Sequence, residues 1–114
     1  MSTRDTGIAA ESEAIDALKA AGYDIVEQNF RCKIGELDVI ARDHGVLVFV
    51  EVRSRADDSH GHAAEMVTRR KQRKVIRVAL YYLGSVQPEF DECRFDVVAI
   101  TGGVIDIVKD AFRT

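Results

Sequence analysis

Tryptophan is absent from this sequence, and proline occurs once, cysteine twice and histidine three times in 114 residues. So few cysteines and histidines exclude a disulfide-stapled scaffold and a small domain nucleated by a structural metal. No apolar run approaches the roughly 20 residues of a membrane span. The opening stretch, Met1 to Gly7, is polar and lacks the apolar centre of a secretion signal. Cys32 and Cys93 are accordingly read as reduced thiols of a cytoplasmic protein that has no membrane partner. Phosphate-binding loops, dinucleotide fingerprints, nucleophile elbows and Cys–His pairs are also missing, so nothing points to a nucleotide-dependent or thiol enzyme.

Hydrophobic residues at 46% and charged residues at 31% suit one soluble domain spanning residues 1–114. A chain of this size buries roughly two thirds of its unfolded surface, enough for a core without staples. The net charge of −3 is unevenly spread: residues 1–27 and 85–114 are acidic, whereas 28–84 carry eleven bases against seven acids. A basic middle in an acidic chain suits a local anionic partner, although such a segment is also common on inert surfaces.

Hydrophobic periodicity predicts a helix over Ile8–Ala21, stopped by Gly22. Strands follow at Tyr23–Phe30, Leu37–Ala41 and Val46–Arg53, the last two joined by a hairpin turn at Arg42–Gly45. A long helix is expected over Ala63–Leu83, then a polar break around Pro88. Strands Arg94–Thr101 and Val104–Lys109 close the chain about Gly102-Gly103. The expected order is helix, three strands, helix, two strands: a small α/β or α+β sheet with helices packed on it.

With Arg42–Gly45 as the turn, Ala41 faces Val46, Asp38 faces Phe49 and Glu36 faces Glu51. Side chains alternate with a period of 2, so Glu36, Asp38, Phe49, Glu51 and Arg53 share one sheet face. Asp38 and Glu51 become diagonal neighbours within reach of one ion. Three acids on such apolar strands either end the hairpin in solvent or surround a cation. A hard divalent ion is satisfied by one or two carboxylates plus water and phosphate oxygens. Arg53 either pairs with these acids or neutralises charge on a reacting phosphate.

Six of the nine residues from Arg69 to Arg77 are basic. On a helical wheel Arg70, Arg73, Lys74 and Arg77 form one stripe opposite Val75, Val78, Ala79, Tyr82 and Leu83. The stripe is either a solvated face or a track for a phosphate backbone. Lys71 falls on the apolar side, where an ammonium either snorkels or meets carboxylates such as Asp38 and Glu51. His44, His60 and His62 form no convincing site, and His60-Gly61-His62 with Glu65 is read as a loop.

Gly35-Glu36-Leu37-Asp38-Val39-Ile40-Ala41 and Phe49-Val50-Glu51-Val52-Arg53-Ser54-Arg55 resemble the paired signature of the YraN-like bacterial proteins. These are functionally uncharacterised and similar to archaeal Holliday junction resolvases. Further matches run from Glu11, Ala14 and Leu18, through Asn29-Phe30-Arg31 and Gly61, Thr68, Lys71 and Gln72, to Arg94-Phe95-Asp96-Val97-Val98. The resemblance implies a restriction-endonuclease-like mixed central sheet with a PD-(D/E)xK centre, its Mg²⁺ or Mn²⁺ held by Glu11, Asp38 and Glu51. It implies DNA as partner, branched or otherwise structured, and a homodimer by analogy with the resolvases. Arg53 stands where the pattern has lysine. Arginine stays protonated at neutral pH, so it serves as transition-state stabiliser rather than base. Lys71 is the candidate for the missing ammonium. The expected function is thus a metal-dependent endonuclease, the alternatives being a non-catalytic nucleic-acid-binding module and an adaptor for an acidic protein.

Overall fold

The computed structural model describes residues 3–56 and 67–114. Helix α1 (Thr3–Ala20) leads to strands β1 (Asp24–Arg31), β2 (Glu36–Asp43) and β3 (Val46–Arg55). Helix α2 (Arg69–Val86) then precedes β4 (Cys93–Thr101) and β5 (Val104–Phe112). The strands form one sheet in the order β1-β2-β3-β4-β5, as a mixed α/β fold. Only β3 and β4 run parallel, with α2 lying in the connection between them. A parallel pair needs such a crossover, whereas antiparallel neighbours are joined by tight turns.

The two helices cover opposite faces. Ala10, Ala14, Ile15 and Leu18 of α1 pack on Val39, Ala41, Val48, Val50, Val52, Val98 and Ile100. Val75, Val78, Ala79 and Tyr82 of α2 pack on Ile40, Leu47, Phe49, Phe95 and Val97. Alternation along β3 therefore turns Val48, Val50 and Val52 to α1, and Leu47 and Phe49 to α2. Glu51 and Arg53 continue the α2-facing row, and this phase sets the site. Aromatic rings reinforce that side: Phe49 stacks on Phe95 at 5.5 Å and meets Tyr82 edge-on at 5.9 Å.

Local chemistry explains the ends. Gly22, at φ +95°, ends α1, with the Gly22 and Tyr23 amides donating to the Lys19 and Leu18 carbonyls. Thr68 caps α2, its hydroxyl accepting from Lys71 N–H at 3.2 Å. Gln87, left-handed at φ 52°, closes that helix just ahead of Pro88. Helix α2 consequently starts at Arg69 rather than Ala63 and passes through Gly84 to Val86. Residues 63–66 lie outside the described residues, as do His60, Gly61, His62 and Glu65.

The hairpin register also differs from the expected one. Its loop is His44-Gly45 alone, with φ 51° and 84°, the paired left-handed conformation a two-residue hairpin demands. Asp43 pairs with Val46, Ala41 with Val48 and Ile40 with Phe49. Asp38 therefore does not face Phe49. The shift is two residues, which preserves which side chains share a face. Glu36 sits at the edge of the acidic group, paired with Arg31 at 3.0 Å on the surface, while its charge still acts on Asp38.

At the far end of the sheet a second set of charges closes the α1-facing core. Asp96 is fully buried and accepts from Tyr23 Oη at 2.7 Å, Arg94 Nε at 2.9 Å and Asp110 N–H at 3.0 Å. Asp43, also buried, takes Arg94 at 2.5 Å and Lys109 at 3.1 Å. Arg94 beside Asp43 holds its carboxyl well below the usual carboxylate range. Every charge in this network has a partner, so it welds β2, β4 and β5 together.

A carboxylate pair beneath a basic helix

The β2–β3 ladder runs from the Asp43–Val46 pair to Val39–Val50. Beyond it the Asp38 carboxylate takes over, accepting the Val52 N–H at 2.9 Å. The bond fixes Asp38 beside Glu51 and Arg53, whose guanidinium lies 3.8 Å from Asp38 Oδ2. Glu51 is the deepest member, its side chain 1% exposed. Its Oε1 accepts from Arg53 Nη2 at 3.1 Å, and Lys71 Nζ of α2 stands 3.6 Å away. Arg53 is braced by its own donation to the Val52 carbonyl at 2.8 Å. Asp38, Glu51, Arg53 and Lys71 are thus brought together from β2, β3 and α2.

Glu51 Oε2 is buried and has no hydrogen-bond partner among the described residues. A buried carboxylate oxygen left bare is costly, more so with a second carboxylate next to it. Burial, and then the Asp38 charge, push the Glu51 carboxyl up to about 7, despite the opposing pull of Arg53 and Lys71. Burial also raises Asp38, against its bond to Val52 N–H and the nearby cations. A divalent cation at Oε2 would relieve both groups. Two carboxylates, with water and phosphate oxygens completing the shell, match what Mg²⁺ accepts.

Glu11 is placed differently from the expected metal set. With its amide nitrogen turned toward α1, Asn29 donates to both Glu11 oxygens at 3.3 Å. Among the described residues no three His, Cys, Asp or Glu side chains converge as a metal-ligand group. Asp38 and Glu51 are the carboxylates that act on each other. His44 sits on the surface against Asp43, and Cys32 and Cys93 are both free thiols.

Helix α2 supplies the roof. Lys71 points down to Glu51, while Arg70, Arg73, Lys74 and Arg77 have no ion-pair partner among the described residues. The first turn of α2 carries no acid, so its basic residues oppose the helix dipole without compensation. A groove of about 420 Å³ runs along them, lined by Ile34, Thr68, Arg70, Lys71, Lys74 and Arg77. Its other wall is the β1–β2 turn, where Gly35 lies so close to α2 that a Cβ would meet Lys74 Cε at 3.1 Å and Val78 Cγ2 at 3.2 Å. Tyr81, which continues this row of cations, was not among the expected site residues, although its wheel position is readable from its spacing.

The fold and site define a small mixed α/β domain with a buried carboxylate pair at the foot of a cationic helix. The chain belongs to the uncharacterised protein family UPF0102, whose model matches residues 10–100. A UPF0102 protein of Lachnoclostridium phytofermentans is 42% identical over 113 residues, covering 98% of this chain and 96% of the relative. One from Ralstonia nicotianae is 47% identical over 111 residues, covering 94% and 85%, respectively. Another, from Hahella chejuensis, is 50% identical over 94 residues, covering 82% and 76%.

Proposed function

We propose that this protein is a metal-dependent endonuclease acting on DNA, with a restriction-endonuclease-like fold and a resolvase-like preference for branched or otherwise structured substrates. The observation that carries the reading is the buried Glu51 Oε2, without a hydrogen-bond partner among the described residues, beside Asp38 and close to Arg53 and Lys71. Asp38 and Glu51 would hold Mg²⁺ or Mn²⁺. When bound, the ion supplies Lewis-acid polarisation of the scissile phosphate and a lowered pKa for the attacking water.

The chain's own residues divide the remaining work. Arg53 and Lys71, fixed by Glu51, stand where charge develops on the phosphate and stabilise it. Neither needs to release a proton for this role, and the guanidinium cannot. Arg70, Arg73, Lys74 and Arg77 hold the backbone and set its register on the site. A homodimer would present two such sites to the two strands of a junction, and no helix among the described residues is long and apolar enough to cross a membrane.

A second reading is a non-catalytic DNA-binding module. The observation favouring it is that Glu51 Oε1 already engages both Arg53 and Lys71, so the acids and cations neutralise one another. Incubation of single-stranded, duplex, flap and four-way-junction DNA with Mg²⁺ or Mn²⁺ separates the two, with Asp38→Asn run in parallel. Cleavage lost in Asp38→Asn is the result expected of the endonuclease. Salt-sensitive retention without cleavage selects the binding module, and neither cleavage nor retention refutes both.

A further inference from the structure

Arg70, Lys74, Arg77 and Tyr81 recur at spacings of four, three and four, so they occupy one row on α2, about 60° wide. Tyr81 follows Arg77 by one helical turn and is 39% exposed, whereas Tyr23 and Tyr82 are buried. Its ring is held by Phe30, at 6.5 Å between centroids and tilted by 42°, which is itself edge-on to Tyr82 at 5.1 Å. The ring is therefore held one helical turn beyond Arg77, in line with the residues of α2 that line the cationic groove. A Tyr ring exposed in line with unpaired cations is the arrangement that binds unpaired nucleotides, the cations taking phosphates and the ring stacking a base. Duplex DNA offers phosphates but keeps its base faces stacked internally.

We propose that Tyr81 is a stacking platform for an unpaired base, so that the α2 groove takes single-stranded DNA and the substrate of the site carries an unpaired strand. This rests on the reading of α2 as a DNA-backbone contact and specifies which DNA it holds. Lys71 lies about 15 Å along the helix axis from Tyr81, at 1.5 Å per residue. A strand stacked at Tyr81 and tracking Arg77, Lys74 and Arg70 thus leads back to the Asp38–Glu51 pair. Stacking is sequence-tolerant, since every base has a π face, so the groove has no strong base preference.

The test is fluorescence anisotropy with labelled oligo-dT and a labelled duplex of equal length, across a salt series, in the absence of divalent ions. Wild type is compared with Tyr81→Ala, Tyr81→Leu and Tyr81→Phe, and with the Arg70→Ala, Lys74→Ala, Arg77→Ala triple variant. Tyr81→Leu keeps apolar packing on Phe30 while removing the aromatic face, and Tyr81→Phe keeps the face while removing the hydroxyl. Loss of one stacked base weakens oligo-dT binding about 5- to 150-fold in the Ala and Leu variants. Tyr81→Phe stays near wild type, and duplex binding by every Tyr81 variant changes less than about twofold. The salt slope is unchanged by Tyr81 variants and falls by about 2 in the triple variant, at about 0.7 per phosphate contact on a single strand. Equal losses on both DNAs, or no loss on oligo-dT, overturn the stacking role. Binding of duplex alone overturns it but leaves the DNA reading standing, and binding of neither refutes both.

Discussion

Replacing Glu51 by glutamine is expected to stabilise the metal-free protein, although it removes two ion pairs. The Glu51 carboxyl, ordinarily at 4.5, is pushed up to about 7 in the folded state, first by burial and then by the Asp38 charge. Between those two values the folded protein keeps a proton that the unfolded chain has released, so stability falls as pH rises through this window. At 1.36 kcal/mol per unit the loss approaches about 3 kcal/mol by neutral pH, the contributions of Arg53 and Lys71 already being included in the net shift. Asp38, raised in the same direction, adds to it. Urea unfolding in EDTA at a series of pH values from 4 to 8 measures the effect. Glu51→Gln should match wild type at the acid end and exceed it near pH 7.5 by an amount approaching about 3 kcal/mol, roughly 10 °C in Tm. A wild-type stability that rises between pH 5 and 7, or that parallels the variant throughout, would refute the reasoning.

Asp43 has the opposite sign. Its carboxyl, held low by Arg94, contributes stability above the ordinary aspartate range that is lost on acidification, so Asp43→Asn should flatten the acid limb of a thermal-melt series. Asp96→Ala strips the buried partner from Arg94 and Tyr23 and should cost about 3–5 kcal/mol in urea unfolding, the scale for breaking a buried charge pair. Thr68→Ala removes the N-terminal cap of a helix whose first turn is basic. It should cost about 1 kcal/mol, read as a lower urea midpoint.

The element order and the gathering of Asp38, Glu51, Arg53 and Lys71 were legible from periodicity. Each depends on alternation or on helical spacing. The register of the hairpin was not. Asp43 looks like a turn residue by composition, yet it is the last residue of β2 because Arg94 and Lys109 meet it from strands 51 and 66 positions away. No local pattern announces such partners. The error was two residues, and an even slip leaves every side chain on its own face, so the carboxylate pair survived it. The start of α2 was misjudged because helix-compatible residues precede Thr68, whose capping bond decides the boundary. The burial of the Arg94–Asp96 pair has no local signature either, since Tyr23 and Asp43 reach Arg94 from 71 and 51 positions away. Glu11 was attached to the metal set by resemblance alone.

The central claim is that Asp38 and Glu51 form a divalent-cation site. Calorimetric titration of Mg²⁺ and Mn²⁺ into wild type and the Asp38→Asn, Glu51→Gln double variant, at pH 7.5 in low salt, tests it most directly. The account requires one saturable site in wild type and none in the double variant, which remains folded by circular dichroism. Equal binding by the two proteins, or none by wild type with either ion, would contradict it.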